Sequence, residues 1–504
     1  MFSTIKTIGV TGIDGYPINV EATLLPGLSG IDVVGLPDAS VKESRERVTS
    51  AIKNIGLQFP YGKMILNLSP ADTKKEGANF DLPIAISILV IMGILNSDKL
   101  NDYAFIGELS LDGTLNPVKG ILPMAICAKN TGIKNLIIPS ANQKEASIVK
   151  DINIYPASNL TNIIAHFSQN IELKKAYTDL SDIFSNYQNY DMDFSDVKGQ
   201  SVAKRALEIA AAGNHNVLLI GEPGSGKTML ATRLPSILPD LTFEEALEVT
   251  KIYSVSGLLN KDSSIITTRP FRSPHHSISG ISLVGGGKVP NPGEISLAHN
   301  GVLFLDELPE FKKNALEVMR QPLENRVITI NRVSGSYTYP ANFMFIASMN
   351  PCPCGYFGSQ LKQCSCSPKQ IHDYASKISG PLLDRIDIHL NVPTVKYTEL
   401  TTKKNEESSI EIRKRVNFAR EIQLNRFKND NIFSNSQLSS SLLNKYCKLN
   451  EACSQLLKNA FEKLNLSARA YSRVLKVART IADLDNSNEI RENHLLEAIQ
   501  YRTK

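Results

Sequence analysis

Residues 217–228 read VLLIGEPGSGKT, an apolar run followed by a glycine-rich loop and a helical segment that begins near Lys227. The loop fits the pattern G-x-x-x-x-G-K-[ST] and lies between strand and helix, the context that the pattern requires. Glycines let such a loop curl so that its backbone N–H groups point at phosphate oxygens, and the helix N-terminus adds positive potential. We therefore predict a nucleotide phosphate site formed by Gly221, Glu222, Pro223, Gly224, Ser225, Gly226, Lys227 and Thr228.

A second apolar run, Val302–Leu305, ends in two carboxylates, Asp306 and Glu307. Together with the loop, it predicts a site for ATP and Mg²⁺. Lys227 would reach the β- and γ-phosphates, Thr228 and Asp306 would hold Mg²⁺ directly or through water, and Glu307 would polarise the attacking water. A strand that merely ends in surface acids is the weaker alternative, because both elements occur in the expected order.

The chain of 504 residues is too long for one hydrophobic core, and its length suggests three domains. Strand and helix signals alternate on both sides of the loop, which predicts an α/β fold with a parallel sheet covered on both faces. We expect an N-terminal α/β domain at 1–167, a polar linker at 168–192, an α/β core at 193–395 and a helical C-terminal domain at 396–504.

The composition is that of a globular protein, with 42% hydrophobic and 21% charged residues. The first residues hold repeated glycine instead of a basic end followed by a long apolar run, so we expect no secretory signal. The longest apolar stretch, Leu82–Leu95, is interrupted by Pro83, Ser87 and Gly93 and is too short to span a bilayer. These features predict a cytoplasmic protein with no membrane partner.

The net charge of +5 says little about nucleic acid, but its distribution is uneven. From Lys396 to the end the chain has 20 Lys and Arg against 13 Asp and Glu. Such a segment is compatible with contacts to nucleic-acid phosphates, and a solvated helical face explains it equally well.

Two downstream segments resemble elements of AAA+ ATPases. The run IASMNP places Asn350 in the position of the sensor-1 residue, and GPLLDRIDIH places Arg385 in that of the arginine finger. The resemblance implies that Glu307, Asn350 and Arg385 are the catalytic residues. An arginine at a subunit edge would neutralise charge on a neighbour's γ-phosphate, so hydrolysis would depend on assembly. The structural alternatives are Asn350 as a turn cap and Arg385 paired with Asp384 or Asp387.

The segment LSARAYSR at 466–473 opens a predicted helix with Ser467 as its N-cap. It resembles the sensor-2 segment of the magnesium-chelatase clade. This resemblance implies that Arg469 contacts the γ-phosphate, with Arg473, one turn later on the same face, as the alternative. Arg469 joins the phosphate loop and Asp306 in the expected ATP-binding set.

Residues 269–307 and 321–351 closely resemble the corresponding regions of the ComM/YifB family of magnesium-chelatase-like AAA+ ATPases. That resemblance implies a homo-oligomeric ring, expected to be a hexamer. It also implies action on single-stranded or branched DNA, as a branch-migration helicase or translocase in recombination during natural transformation. In this clade a helix-2 insertion and a hairpin point at the ring pore, so Lys288, Arg326 and Arg332 are candidates for sequence-nonspecific phosphate contacts. The alternative is that each of these three residues is only a solvated side chain at the tip of its loop or hairpin.

The first 167 residues resemble the protease domain of Lon, a fold related to ribosomal protein S5. Asn79 stands where Lon carries its nucleophilic serine, and Leu122 stands where Lon carries its activating lysine. An amide cannot serve as the nucleophile and leucine cannot accept its proton, so we expect a domain without peptidase activity. A role in assembly or partner binding is the expected one.

Four of the seven cysteines lie within fifteen positions, spaced as C-x-C, nine residues and C-x-C. Four thiolates on two short turns suit structural zinc, although C-x-C is less diagnostic than C-x₂-C and four free thiols are the alternative. The ligands would be Cys352, Cys354, Cys364 and Cys366. The adjacent pair His275 and His276 lacks a supporting pattern, and we do not expect a metal there.

Three functional classes compete. A DNA motor is favoured by a resemblance that covers the whole chain. A magnesium-chelatase-type motor, which drives metal insertion or remodels a protein partner, shares the ATPase core but leaves the Lon-like domain unexplained. An ATP-dependent protease is opposed by the missing serine and lysine. The expected fold is α/β, with a Lon-protease-like N-terminal domain, an AAA+ P-loop parallel-sheet core and a C-terminal α-helical lid.

Overall fold

The computed structural model describes residues 2–169, 171–178, 190, 192–260, 264–287, 290–332, 335–360, 362–395, 406–464 and 467–502. The chain forms two compact units. The first is built from Met1–Asn186, Ala246–Ile266 and Ile330–Tyr337, and the second from Tyr187–Glu245, Thr267–Thr329 and Thr338–Lys504. Most of the predicted linker at 168–192 lies outside the described residues, and the three-domain division stays a prediction.

The first unit contains a mixed seven-stranded sheet in the order β3-β4-β2-β1-β5-β8-β9. β1 and β4 both pair antiparallel with β2, whereas β3–β4, β1–β5, β5–β8 and β8–β9 are parallel pairs. A short hairpin of β6 and β7 completes the strands. Their bounds are β1 Phe2–Thr11, β2 Asp14–Leu25, β3 Gly30–Val34, β4 Lys63–Ser69, β5 Tyr103–Phe105, β6 Glu108–Leu109, β7 Leu115–Asn116, β8 Asn135–Pro139 and β9 Asn153–Ala157.

The core of this unit is formed by strands whose side chains alternate between buried and exposed positions and by an apolar helix. In β4 every second side chain is buried, as expected for a strand with one face on the core. The helix Asp81–Ile91 is apolar on nearly all sides and is almost wholly buried. Its fully buried Asp81 pairs with Arg47 at 2.7 Å (Oδ2 to Nε), which compensates the buried charge. The helices preceding the second unit are α1 Ala39–Asn54, α2 Asp81–Ile91, α3 Ile121–Asn130, α4 Gln143–Ala146 and α5 Leu160–Ser168.

The Lon-like positions are occupied by structural side chains. The Asn79 amide donates a hydrogen bond to the Ile8 carbonyl at 3.3 Å. Leu122 is fully buried, and its backbone N–H donates to the Glu145 carboxylate at 3.0 Å. Both residues therefore contribute to the interior of the unit.

The second unit contains a five-stranded parallel sheet in the order β11-β14-β17-β10-β18. β14 and β17 are buried along their whole length, the pattern of a parallel sheet covered on both faces. Two small hairpins, β12–β13 and β15–β16, also occur in this part of the chain. The second is the predicted hairpin, and its residues Ile330–Tyr337 belong to the first unit. The bounds are β10 Val217–Gly221, β11 Phe271–Arg272, β12 Gly285–Gly286, β13 Asn291–Pro292, β14 Val302–Leu305, β15 Val327–Arg332, β16 Gly335–Pro340, β17 Met344–Met349 and β18 Ile388–Val392.

Helices cover this sheet, and those after residue 406 share its apolar core, which joins Leu219 and Phe304 to Val474 and Ile481. Ser467 accepts the N–H of Ala470 at 3.2 Å, which confirms the predicted cap. The bounds of the helices after residue 200, of which α8 lies mostly in the first unit, are α6 Ser201–Gly213, α7 Lys227–Arg233, α8 Phe243–Ser256, α9 Gly280–Val284, α10 Glu294–Leu297, α11 Lys313–Glu317, α12 Arg320–Asn325, α13 Pro368–Ser376, α14 Gly380–Leu383, α15 Ser409–Arg426, α16 Ser440–Tyr446, α17 Glu451–Lys463, α18 Ala468–Leu484 and α19 Glu492–Gln500.

Among the described residues, no helix has both the length and the apolar character that a membrane crossing requires.

Candidate nucleotide site

The glycine-rich loop leaves β10, which lies between β17 and β18, and leads into α7 at Lys227. Gly226 caps that helix with a φ of +88°, a conformation that residues with a Cβ rarely adopt. At Gly221 an added Cβ would lie 2.4 Å from the Val392 carbonyl oxygen, so the close approach of two backbones also requires glycine. The loop is thus shaped by its glycines at the end of a central strand, as an anion site requires.

Lys227 is held at the centre of the loop. Its ammonium donates to the carbonyl oxygens of Gly221 at 2.8 Å and Glu222 at 2.9 Å, and to Asn350 Oδ1 at 3.2 Å. Burial lowers the pKa of Lys227, against the opposite effect of the carboxylates of Asp306 and Glu307. A bound phosphate would exchange with these carbonyl contacts and favour the charged ammonium.

Thr228 and Asp306 meet beside the loop, and they are the pair expected to hold Mg²⁺. The Thr228 hydroxyl donates to Asp306 Oδ2 at 2.8 Å. The other carboxylate oxygen accepts from the Ser348 hydroxyl and from the Glu307 N–H, the latter at 3.0 Å. A hydroxyl and a carboxylate are hard oxygen ligands of the kind that Mg²⁺ takes from proteins, so the residues present fit the ion.

Glu307 follows Asp306 with a φ of +54°, in the left-handed region. Its side chain is 59% exposed, and its Oε2 lies 3.8 Å from Nδ1 of His276. The carboxylate is therefore accessible to water, as a group that polarises the attacking water must be. The His276 ring packs on that of His275, with 4.0 Å between centroids.

Arg385 is enclosed within its own chain. Its side chain is 8% exposed, and its guanidinium pairs with Glu324 and donates to the Pro381 carbonyl. The ion pair is intramolecular, as the structural alternative expected, but its partner is Glu324, whereas Asp384 pairs with Arg469 and Asp387 with Arg473. A role as arginine finger stays a prediction and requires Arg385 to leave Glu324.

The two candidate arginines of α18 differ in freedom. Arg469 is 62% exposed, and its guanidinium lies 3.5 Å from an Asp384 carboxylate oxygen. Arg473 pairs with the fully buried Asp387, whose pKa burial would raise but Arg473 and His215 hold far below its usual range. Arg473 thus stabilises a buried carboxylate, which leaves Arg469 as the arginine available to a ligand.

Comparison with known sequences places this site in a family. Residues 193–400 match the family described as magnesium chelatase, subunit ChlI. Residues 20–142 match subunit ChlI of Mg-chelatase, and residues 406–502 match the ChlI C-terminal family. An uncharacterized protein, YifB of Escherichia coli, is 44% identical over 503 residues, which is 99% of this chain and 97% of that protein. The chain belongs to the YifB/ComM family of magnesium-chelatase-like AAA+ proteins.

Two further relatives extend the comparison. The competence protein ComM of Haemophilus influenzae is 43% identical over 495 residues, 97% of this chain and 95% of that protein. The Lon protease of Rhizobium meliloti is 25% identical over 168 residues, 31% of this chain and 21% of that protein. The Lon-like character of the N-terminal region is therefore confirmed, and membership of the AAA+ family implies ATPase activity with ATP and Mg²⁺.

Two of the three expected DNA contacts, Arg326 and Arg332, lie within the described residues of this YifB/ComM-family chain. Arg326 follows α12, donates to Asn342 Oδ1 at 2.7 Å and lines a cavity of about 280 Å³ beside Lys476. Burial lowers the pKa of Arg326 to about 10. Arg332, at the end of β15, is exposed, whereas Lys288 lies outside the described residues. Of the two candidates within the described residues, Arg332 is thus the one that is open to a phosphate backbone.

The four clustered cysteines converge, as their spacing suggested. All four Sγ atoms lie within 4.8 Å of one another, and Cys352 is 3.4 Å from Cys354 and 3.7 Å from Cys364. A tetrahedral zinc with Zn–S bonds of 2.3 Å separates its sulfurs by about 3.8 Å, so the arrangement fits zinc. A hydrogen bond from the Tyr356 backbone is the largest cause that lowers the pKa of Cys354 to about 5. The pKa of Cys364 and that of Cys366 are each lowered by a backbone hydrogen bond but raised overall by desolvation and the neighbouring thiols. The fourth sulfur of the cluster is that of Cys366.

Sequence reasoning missed three residues that support the site. Ser348 orients Asp306, His276 lies beside Glu307, and Gln200 donates from Nε2 to the Ser225 carbonyl at 2.6 Å. Ser348 could have been found, because it lies on the strand that ends at Asn350 and alternation points it to the same side. Nothing local signals the other two, which reach the site from distant segments.

Proposed function

We propose that this chain is an ATP-driven, ring-forming DNA motor, a branch-migration helicase or translocase that acts in recombination during natural transformation. The observation that carries the proposal is the 43% identity with the competence protein ComM over 95% of that protein's length. The expected place of action is the cytoplasm.

The ATP site gives the motor its chemical step. Lys227 would bind the phosphates, Thr228 and Asp306 would hold Mg²⁺, and Glu307 would align water for attack. Asn350 shares a hydrogen bond with Lys227 and would therefore respond to the γ-phosphate. Hydrolysis would be completed by an arginine from the next subunit of a ring, which we expect to be a hexamer.

DNA would be gripped through its phosphates, without reading bases. Wild-type protein should hydrolyse ATP faster when a synthetic four-way junction is added, and the junction should separate. Arg332→Ala should leave basal hydrolysis near normal while the stimulation and the strand separation fall, similarly for unrelated sequences. DNA binding by wild type should weaken steeply as salt rises, and the variant, with one phosphate contact fewer, should show a shallower salt dependence.

The control is Lys42→Ala, which removes an exposed positive charge from α1. It should keep both basal and DNA-stimulated hydrolysis. Lack of any stimulation in wild type would overturn the DNA-motor proposal, whereas normal stimulation in Arg332→Ala would overturn only this contact.

A magnesium-chelatase-type motor is the second candidate, because the families that match the chain are described by the chelatase subunit. Such a motor would drive metal insertion or remodel a protein partner. Stimulation of hydrolysis by a porphyrin or by a protein, and not by DNA, would favour it.

We also propose that the cysteine cluster holds a structural zinc. Purified protein should contain about one zinc per chain, since four converging thiolates close a tetrahedral site. Cys364→Ser combined with Cys366→Ser should lose the metal. Cys127→Ser, at a buried cysteine outside the cluster, should retain it. Elemental analysis of the three proteins measures this, and zinc-free wild type would refute the assignment.

A further inference from the structure

We propose that the cysteine cluster braces the phosphate-binding loop, so that nucleotide binding depends on the metal. This inference rests on the proposed zinc site and assigns that site a task in the ATPase. It is carried by a direct contact between the cluster and the loop.

The contact is made by Gly355, the residue after Cys354. A Cβ added at Gly355 would lie 2.6 Å from both Cγ and Cδ of Pro223, and 3.9 Å from Cγ of Asn350. The backbone of the cluster therefore lies directly against the proline ring of the phosphate loop, and only glycine permits this approach. The φ of Gly355 is +87°, and its N–H donates to the Cys352 carbonyl at 3.0 Å, which closes the turn that carries two of the four cysteines.

The same stretch of chain also reaches Lys227. β17 ends at Met349, Asn350 follows and accepts from the Lys227 ammonium at 3.2 Å, and Cys352 comes two residues later, fully buried. Six consecutive positions from Asn350 to Gly355 thus join the phosphate-binding lysine, two metal ligands and the contact with Pro223. A displacement of this turn would move both the loop and the partner of Lys227.

The far side of the cluster is anchored by α13. Ser367, next to Cys366, caps that helix and forms a capping box with Gln370. The hydroxyl of Tyr374, on the same helix, forms a hydrogen bond with the backbone of Asn350. The cysteines therefore link a core strand to a helix, and the described residues between Cys354 and Cys364 form neither helix nor strand. A metal that closes such a segment supplies order that its own packing does not.

Two glycine variants test the contact without touching a cysteine. Gly355→Ala should keep its zinc but lose about tenfold or more in affinity for Mg-ATP, because a methyl group would displace Pro223. Gly358→Ala is the matched control: its φ is +79°, so the backbone strain is similar, but apart from its chain neighbours no described residue has an atom within 4 Å of the added Cβ. It should keep both zinc and affinity. The readouts are elemental zinc and equilibrium titration with a fluorescent ATP analogue.

Metal removal tests the dependence in the full-length protein. Extraction of zinc with a thiol-reactive mercurial and a chelator, followed by reduction, should lower ATP affinity while the far-ultraviolet circular dichroism stays the same. Added zinc should restore the affinity. Unchanged affinity after verified zinc loss, or equal affinities of the two glycine variants, would overturn the brace while leaving the zinc site intact. Wild type without zinc would overturn the zinc site, and with it the metal dependence.

Discussion

Lys227→Ala is expected to abolish binding of ATP, whereas Glu307→Gln is expected to bind ATP normally and to lose turnover by a factor on the order of 10²–10⁴. The reason is geometric. Lys227 lies inside the loop with its ammonium on two loop carbonyls, where a phosphate would replace them. Glu307 lies outside the loop, and its exposed carboxylate would be able to polarise an attacking water.

Equilibrium binding of a fluorescent nucleotide and steady-state phosphate release measure the two effects separately. Lys428→Ala and Glu421→Gln are suitable controls, because both residues are exposed on the second unit. Both controls should behave as wild type. Normal turnover in Glu307→Gln would contradict the assignment of Glu307 as a catalytic residue. Normal ATP binding in Lys227→Ala would contradict the assignment of the glycine-rich loop as the phosphate site.

Arg385→Ala should lower hydrolysis by a factor on the order of 10³ if the arginine acts on a neighbour's γ-phosphate. Mixed with Lys227→Ala protein, it should regain activity. In a ring of randomly mixed subunits, some interfaces join the intact loop of an Arg385→Ala subunit to the intact arginine of a Lys227→Ala neighbour. With equal amounts of the two variants, roughly a quarter of the interfaces are of this kind. Titration of one variant against the other, with phosphate release as the readout, gives the recovery curve.

The buried position of Arg385 makes this experiment informative. In the single chain its guanidinium pairs with Glu324, so the arginine reaches a neighbour only if assembly separates that pair. Sizing of the mixtures by light scattering confirms that rings are present. Intact assemblies that never recover activity would show that Arg385 acts inside its own chain.

Local motifs made much of the nucleotide site predictable. The loop, Asp306 and Asn350 each follow an apolar run, and the carboxyl ends of parallel strands meet at one sheet edge. The pair between Arg385 and Glu324 could not be predicted, because it joins side chains 61 positions apart. The enclosure of Arg326 is of the same kind, since it depends on Asn342 and on residues of a later helix.

Domain organisation was equally hard to predict in detail. Residues Ala246–Ile266 lie within the predicted ATPase core along the chain but belong to the first compact unit. There the Ser254 hydroxyl donates to Glu145, and the Gly120 N–H donates to the Ser254 carbonyl at 3.1 Å. Boundaries drawn from composition divide the chain into continuous stretches. They cannot show that a segment such as Ala246–Ile266 belongs to the first unit while the residues on both sides of it belong to the second.

The left-handed backbone conformation of Glu307 creates a conflict between catalytic activity and folding stability. A residue with a Cβ in that region costs about 1–3 kcal/mol, and glycine would relieve the cost while deleting the carboxylate. Directed evolution that rewards heat resistance alone would therefore accumulate inactive proteins at this position. If Glu307 polarises the attacking water as proposed, selection for turnover would maintain the strained glutamate, and thermostabilising changes would have to be sought away from the junction of Asp306 and Glu307.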